Sequence, residues 1–354
     1  MALPPRSRGA HRLSLLHPLD IATPDYVTWI NLVPGLHKGG FGVALFFLIS
    51  GFVIPFSFLR YTRTGFVLAR ILRLWPAYMA GFAVTVTAVA IGMWLAKRSL
   101  PFSAREALIH SVLGIRDLLG SRSIDGIVWT LEIEIKFYVV AIIIAPWLRR
   151  GSLWAFGAAA VAWLITVACG LIVFSPLNDD VPRWAYDLVY AIGLGTQFIV
   201  FMFIGVALNF AFRGLQPIGA MLGLSLVLLL AFLALFFVGA FREVPYGLTY
   251  PIALAAFLLV YFCPRLLPNV GPLRWLADIS YAFYVCHGVA GYVLMTVLLA
   301  LDYSPFVAIA VTTCAALLVS FIIHRCVEAP TRRLGQRLGQ AIGGLRRREW
   351  SPAE

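Results

Sequence analysis

Nine apolar stretches, each long enough to cross a bilayer, decide what this chain can fold into: residues 39–59, 75–96, 127–147, 152–175, 188–211, 217–240, 246–263, 275–300 and 304–324. A hydrocarbon layer about 30 Å thick takes roughly 20 helical residues to cross. Within it every backbone N–H and C=O must be bonded by the protein itself, which consecutive helices achieve and irregular chain does not. The expected fold is all-α, a polytopic helical membrane bundle of about nine to ten transmembrane helices. Composition agrees, since 61% of the 354 residues are hydrophobic and only 12% are charged, far from the balance of a soluble domain.

The formal charge of +12 would suit a nucleic-acid partner if it were spread over one surface. Alternating the direction of the spans instead puts sixteen basic residues, from Arg60 to Arg348, on one side and seven on the other. That is a positive-inside bias, so the first side is expected to be cytoplasmic, together with the carboxyl terminus, and no nucleic acid is expected. The five cysteines, Cys169, Cys263, Cys286, Cys314 and Cys326, lie in or beside spans without metal-ligand spacing. They read as packing residues, and no metal is expected.

Three parts follow from the patterning. Residues 1–38 are polar and punctuated by prolines, without the apolar core of a signal peptide. Residues 39–335 form the membrane domain, and residues 336–354 a basic cytoplasmic tail. The tail, with arginines recurring among Leu, Ile and Gly, suits either a basic helix resting on anionic lipid or a solvated extension. In the one long loop, "SAREALIHSVLGIRDLLG" has the apolar spacing of an amphipathic helix lying in the interface. No internal repeat of the kind found in many transporters is visible.

The span over 127–147 is the unusual one, because it opens with Glu132, Glu134 and Lys136. A charge at the centre of a membrane helix costs on the order of 2.5 to 3.5 kcal/mol on insertion scales, so it is normally paired, cavity-facing or functional. Glu132 and Lys136 stand at i and i+4 with the acid first, which predicts an ion pair on one face. Glu134 points about 200° away from Glu132 and needs another partner. Tyr138 shares its face, and Trp129 begins the span where an interfacial aromatic would sit. All three charges could alternatively snorkel to water from the outer end of the span.

Two further stretches carry polar groups into or beside the membrane. "LADISYAFYVCHGVAGY" places Asp278, Tyr281, Tyr284 and His287 at three-residue steps, a stripe that could line a cavity. "GFVLARILRLWPAYM" puts Arg70 and Arg73 on one helical face at the cytoplasmic surface, ahead of Pro76, which can end or kink a helix. Two guanidiniums on one face make a good phosphate clamp, and simple topology arginines would have the same pattern.

Taken together, these stretches resemble the membrane acyltransferase-3 family. "GGFGVALFFLISGFVI" is similar to the family's early span, and "ARILRLWPAY" to its arginine signature through Arg70, Arg73, Pro76 and Tyr78. "WTLEIEIKFY" resembles its tryptophan-glutamate-aromatic block through Trp129, Glu134 and Tyr138, while "ISYAFYVCH" and "VEAPTRRLG" look like the last two blocks. The family opens with a helix carrying a basic residue, ten intervening positions and a histidine. Arg6 and His17 have that spacing here, on a segment too short and polar for a complete span.

The resemblance implies an integral enzyme of the plasma (inner) membrane that moves an acyl group, most often acetyl from acetyl-CoA, to a hydroxyl of a surface glycan or lipid-linked sugar. It implies His17 as catalytic base or acyl carrier, Glu134 as its catalytic partner, and Arg70 and Arg73 on the phosphates of acyl-CoA. Tyr78, Trp129, Tyr138, Tyr284 and His287 would support substrate or machinery. The alternative is a non-catalytic polytopic protein, either a solute transporter or a family member inactive for want of its first helix.

Overall fold

The structure, a computed structural model, describes residues 39–175, 181–242, 247–268 and 270–343. His17 lies outside the described residues. Those described form helices and connecting turns, with no strand among them. Seven helices are long and apolar enough to cross a membrane: α1 (Gly40–Arg60), α2 (Arg63–Leu95), the Leu153–Val173 span that ends in α6 (Gly157–Val173), α7 (Arg183–Phe212), α8 (Ile218–Val238), α10 (Gly271–Ala300) and α11 (Pro305–Ile323). The other two expected spans are present in shorter form. One is α9 (Thr249–Phe262), and the other is divided into α4 (Val128–Ile143) and α5 (Ala145–Arg150). A short α3 (Ala104–Ser111) lies in the long loop. The last helix, α12 (Ala329–Gly343), continues α11 through a π-helical turn, His324–Glu328.

Arginines tie one end of the bundle together. Arg149 bonds the carbonyl of Tyr61, and Arg213 bonds those of Leu148 and Arg149. The ends of α1, α5 and α7 therefore meet at one level, the arginine-rich end, as the alternating directions require. At the opposite end Gln197 of α7 holds the backbone of Phe241 beyond α8 through both its amide atoms.

α7 is the most buried of the seven spans. It packs against α1, α6 and α8. Its approach to α1 is backbone to backbone: a Cβ on Gly51 would lie 1.9 Å from the Met202 carbonyl oxygen, so glycine is required there. α2, α10, α11 and α12 form the other side of the molecule, and α4 stands between the two groups.

The α4 span departs from a uniform membrane helix. At 16 residues it is about 24 Å long, and it breaks at Ile144 before Pro146, which lacks an N–H and sits in the first turn of α5. The interfacial helix expected over 103–120 is confined to α3, which ends where Val112 turns extended, and Gly114 and Gly120 beyond it take left-handed φ of 89° and 61°. The expected boundary between membrane domain and tail falls inside α12, which runs through residue 336.

Candidate functional site

Three elements, α1, α2 and α4, bring the inner polar group together. Glu134, on the buried side of α4 and 5% exposed, accepts a hydrogen bond of 3.0 Å from Ser50 Oγ of α1. No basic side chain among the described residues forms an ion pair with it. One turn further along α4, Tyr138 has Glu134, Arg70 and Arg73 as its charged neighbours, and its buried Oη has no hydrogen-bond partner of good geometry. Arg70 donates to Ser57 Oγ at 2.6 Å, with its guanidinium 5.2 Å from the ring centres of both Phe66 and Tyr138. Arg73 has a buried Nε without a partner and no ion pair among the described residues. An acid and two guanidiniums thus flank one tyrosine, none neutralised by a salt bridge.

The arginines do not sit at the end of a helix. α2 runs unbroken through Pro76, which places Arg70 and Arg73 two to three turns inside it, facing the bundle. Their i, i+3 spacing still puts both on one side. Tyr281 donates to the Leu74 carbonyl at 2.9 Å, and the π-helical turn places buried Glu328 within its electrostatic reach, bonded at 3.0 Å to His324.

A second polar group surrounds the start of α4, and here the expected ion pair is replaced. Glu132 does not pair with Lys136. Its carboxylate is held by Arg116, Nε at 2.9 Å and Nη2 at 2.5 Å, and accepts a further bond from the Asp117 N–H at 3.2 Å. Lys136 pairs with Asp117. The i, i+4 geometry on a helix is worth only about 0.2 to 0.5 kcal/mol, whereas a bidentate guanidinium matches a buried carboxylate in charge and shape. Arg116 also donates to the Ser121 carbonyl at 2.7 Å, so the loop is folded onto α4 by its own charges.

His110, which sequence reasoning passed over, is completely buried in that group. Its ring stacks on Phe82 at 4.6 Å, its Nδ1 lies 2.7 Å from Tyr78 Oη, and its Nε2 faces Asp125 at 3.5 Å. The Tyr78 hydroxyl also donates to the His110 carbonyl at 3.1 Å, so its one proton serves both the backbone and the Nδ1 side of this histidine. Burial pushes the imidazole down to about 4, aided by Arg116 and opposed by Asp125. Asp125 in turn accepts from the N–H groups of Ile127 and Val128 and so caps α4. The readable signal was a polar residue inside an amphipathic pattern, with Tyr78 opposite it.

The remaining expected residues are dispersed. Tyr78 is fully buried and engaged by His110, so it belongs to the second group. Trp129 is no interfacial anchor; it packs inward against Phe47 at 6.2 Å and Phe198 at 5.7 Å. Tyr284 shares a 2.5 Å hydrogen bond with Thr130 and stacks on Phe46 at 6.0 Å. His287 turns Nδ1 to the carbonyls of Phe283 and Tyr284, 2.9 and 3.0 Å away, next to a non-helical kink at Gly288. Three-residue steps rotate by about 60° short of a turn, so the polar stripe of α10 spirals. Asp278 is exposed while Tyr281 and Tyr284 face different helices.

The comparisons with known proteins bear on this arrangement. A family model described as an acyltransferase domain, that of the acyltransferase-3 family, matches residues 16–325. Nodulation protein 10 of Rhizobium leguminosarum bv. viciae is 27% identical over 143 residues, 35% of this chain. The match spans 39% of that protein's length. No solved structure matches. With the family model running from before α1 to the π-helical turn, this integral membrane chain belongs to the acyltransferase-3 family.

Proposed function

We propose that the protein is a membrane O-acyltransferase that moves an acyl group, acetyl in the simplest case, from acyl-CoA to a hydroxyl of a surface glycan or lipid-linked sugar. The observation that carries this reading is Glu134, buried at mid-bundle on the Ser50 hydroxyl with the Tyr138 hydroxyl beside it, and Arg70 and Arg73 close by without an ion pair among the described residues. Such a group is expensive in a membrane unless it serves a site, and family membership supplies the reaction class.

In that reaction the acceptor oxygen attacks the thioester carbonyl, the C–S bond breaks, and the thiolate leaves with the proton taken from the hydroxyl. An unactivated alcohol needs a base, and imidazole titrates in the right range. We assign that role to His17, with Glu134 fixing its tautomer or stabilising its charged form. Arg70 and Arg73 hold the phosphates of the donor, which enters from the arginine-rich, cytoplasmic side. Tyr138 closes the space between acid and arginines.

Membranes holding the wild-type protein, given acetyl-CoA labelled in the acetyl group, are expected to transfer label to surface polysaccharide or its lipid-linked precursor. Label that stays wholly on CoA in the presence of these acceptors, with the protein folded, overturns the reading.

A further inference from the structure

α12 has a chemistry that the reaction does not use. Its sequence, APTRRLGQRLGQAIG, contains three arginines and no carboxylate. The neighbouring Glu328 is buried and taken by His324, so Arg332, Arg333 and Arg337 form no ion pair among the described residues. On another side of the same helix Leu334, Leu338 and Ile342 are 49%, 40% and 54% exposed. Steps of four residues keep these three on one slowly drifting stripe, and Arg333 and Arg337 on a second.

The helix is not free to turn this stripe inward. It lies antiparallel along the first turns of α2 in backbone contact: a Cβ on Gly339 would come within 2.7 Å of the Gly65 carbonyl oxygen, and one on Gly65 within 2.3 Å of that of Gly339. The side toward α2 is thus fixed by glycines, leaving the leucine stripe, Arg333 and Arg337 exposed and Arg332 half-buried at the edge of the contact. The continuous helix Pro305–Ile342 has 38 residues, about 57 Å, nearly twice the hydrocarbon thickness. Its last part therefore reaches the headgroup level at the arginine-rich end, where apolar side chains find acyl chains and guanidiniums find phosphates.

We infer that α12 is a binding surface for anionic phospholipid headgroups of the leaflet at the arginine-rich end, with Arg332, Arg333 and Arg337 on the phosphates and Leu334, Leu338 and Ile342 in the acyl region. Charge complementarity selects the lipid class. The exposed apolar stripe selects a membrane over a soluble anion, since it would be left in water by the latter.

The test is lipid retention, which stands or falls independently of the proposed acyl transfer. The full chain is placed in nanodiscs of mixed phosphatidylcholine and phosphatidylglycerol, released, and its bound lipids counted by native mass spectrometry. Wild type is expected to keep phosphatidylglycerol preferentially, and R332Q/R333Q/R337Q to lose that preference by roughly fivefold for each arginine near the surface. The corresponding triple lysine variant is expected to keep most of it. Equal preference in wild type and the glutamine variant overturns the inference. So does tripolyphosphate binding to detergent-solubilised wild type that lacks any phosphatidylglycerol preference, which would make the surface a soluble-anion site. If the glutamine variant does not reconstitute, wild type is measured at low and high salt; a preference that salt does not weaken overturns the inference as well.

Discussion

The two faces of α4 handle charge in opposite ways. Around its start the opposite charges are paired: Glu132 has Arg116 and Lys136 has Asp117, while Asp125 caps the helix through Oδ1 and faces His110, its Oδ2 left without a hydrogen bond. Two residues after Glu132, Glu134 is bonded to Ser50 beside the Tyr138 hydroxyl, Arg70 is bonded to Ser57, the Arg73 Nε lacks a partner, and none of the three forms an ion pair among the described residues. A compensated cluster costs little to keep and holds the long loop in place. An uncompensated one is a standing expense in low dielectric, tolerated where a ligand or substrate completes it. The first group is thus read as scaffold and the second as site.

The sharpest way to break this comparison is to neutralise each acid in turn. Glu134→Gln is expected to lower acyl transfer by about 10²- to 10⁴-fold, the range for loss of a positioned acid-base group, with the melting temperature in detergent unchanged. Transfer at the wild-type rate would remove Glu134 from the site and with it the distinction drawn here. Arg116→Ala should act the other way. It leaves Glu132 buried without its cation, a loss of about 3 to 5 kcal/mol, seen as low yield and early melting, and the added change Glu132→Gln should recover part of it. A variant as stable as wild type would show that the loop is not held by its charges.

Arg70→Gln and Arg73→Gln test the site half alone. Each removes a charge-assisted contact of about 1.5 to 3 kcal/mol, which predicts a KM for acyl-CoA raised by roughly ten- to a hundredfold. Arg73, with its Nε unpartnered, should show the larger change. A drop in kcat at constant KM would move the arginines from donor binding to the chemical step.

The same contrast explains what could be read from the sequence. The spans were legible because length and apolarity alone identify them, and α1, α7, α8 and α11 match their expected positions within a few residues, save the start of α7, which begins five residues earlier. Glu134 stood out because nothing local could satisfy it. The partners of Glu132 and Lys136 were not legible: Arg116 and Asp117 are 16 and 19 positions away in a loop, and a local rule supplied a closer, weaker pairing. Pro76, which can end or kink a helix, does not end α2, for a related reason. In a membrane helix neighbouring groups re-satisfy the backbone that proline frees, and α2 passes straight through it.

His110 offers the smallest and most specific test, since it asks whether the scaffold half is closed to protons as well as paired. Its ring faces Tyr78, Phe82 and Asp125, with Arg116 near enough to act on it, and burial holds its pKa down to about 4 against an ordinary value of 6.5. Between those values the unfolded chain binds a proton that the folded one refuses. Stability is therefore complete above about pH 6.5 and falls as pH drops toward 4, by about 1 kcal/mol between pH 7 and 5.5 if this group alone titrates. Melting curves of wild type and His110→Phe at these two pH values separate its share from that of other groups: wild type should lose more on acidification, and the variant, keeping the stack on Phe82, should lose less. Equal losses would mean that protons reach His110 in the folded protein, and the start of α4 would then have to be counted as open, like the site beside it.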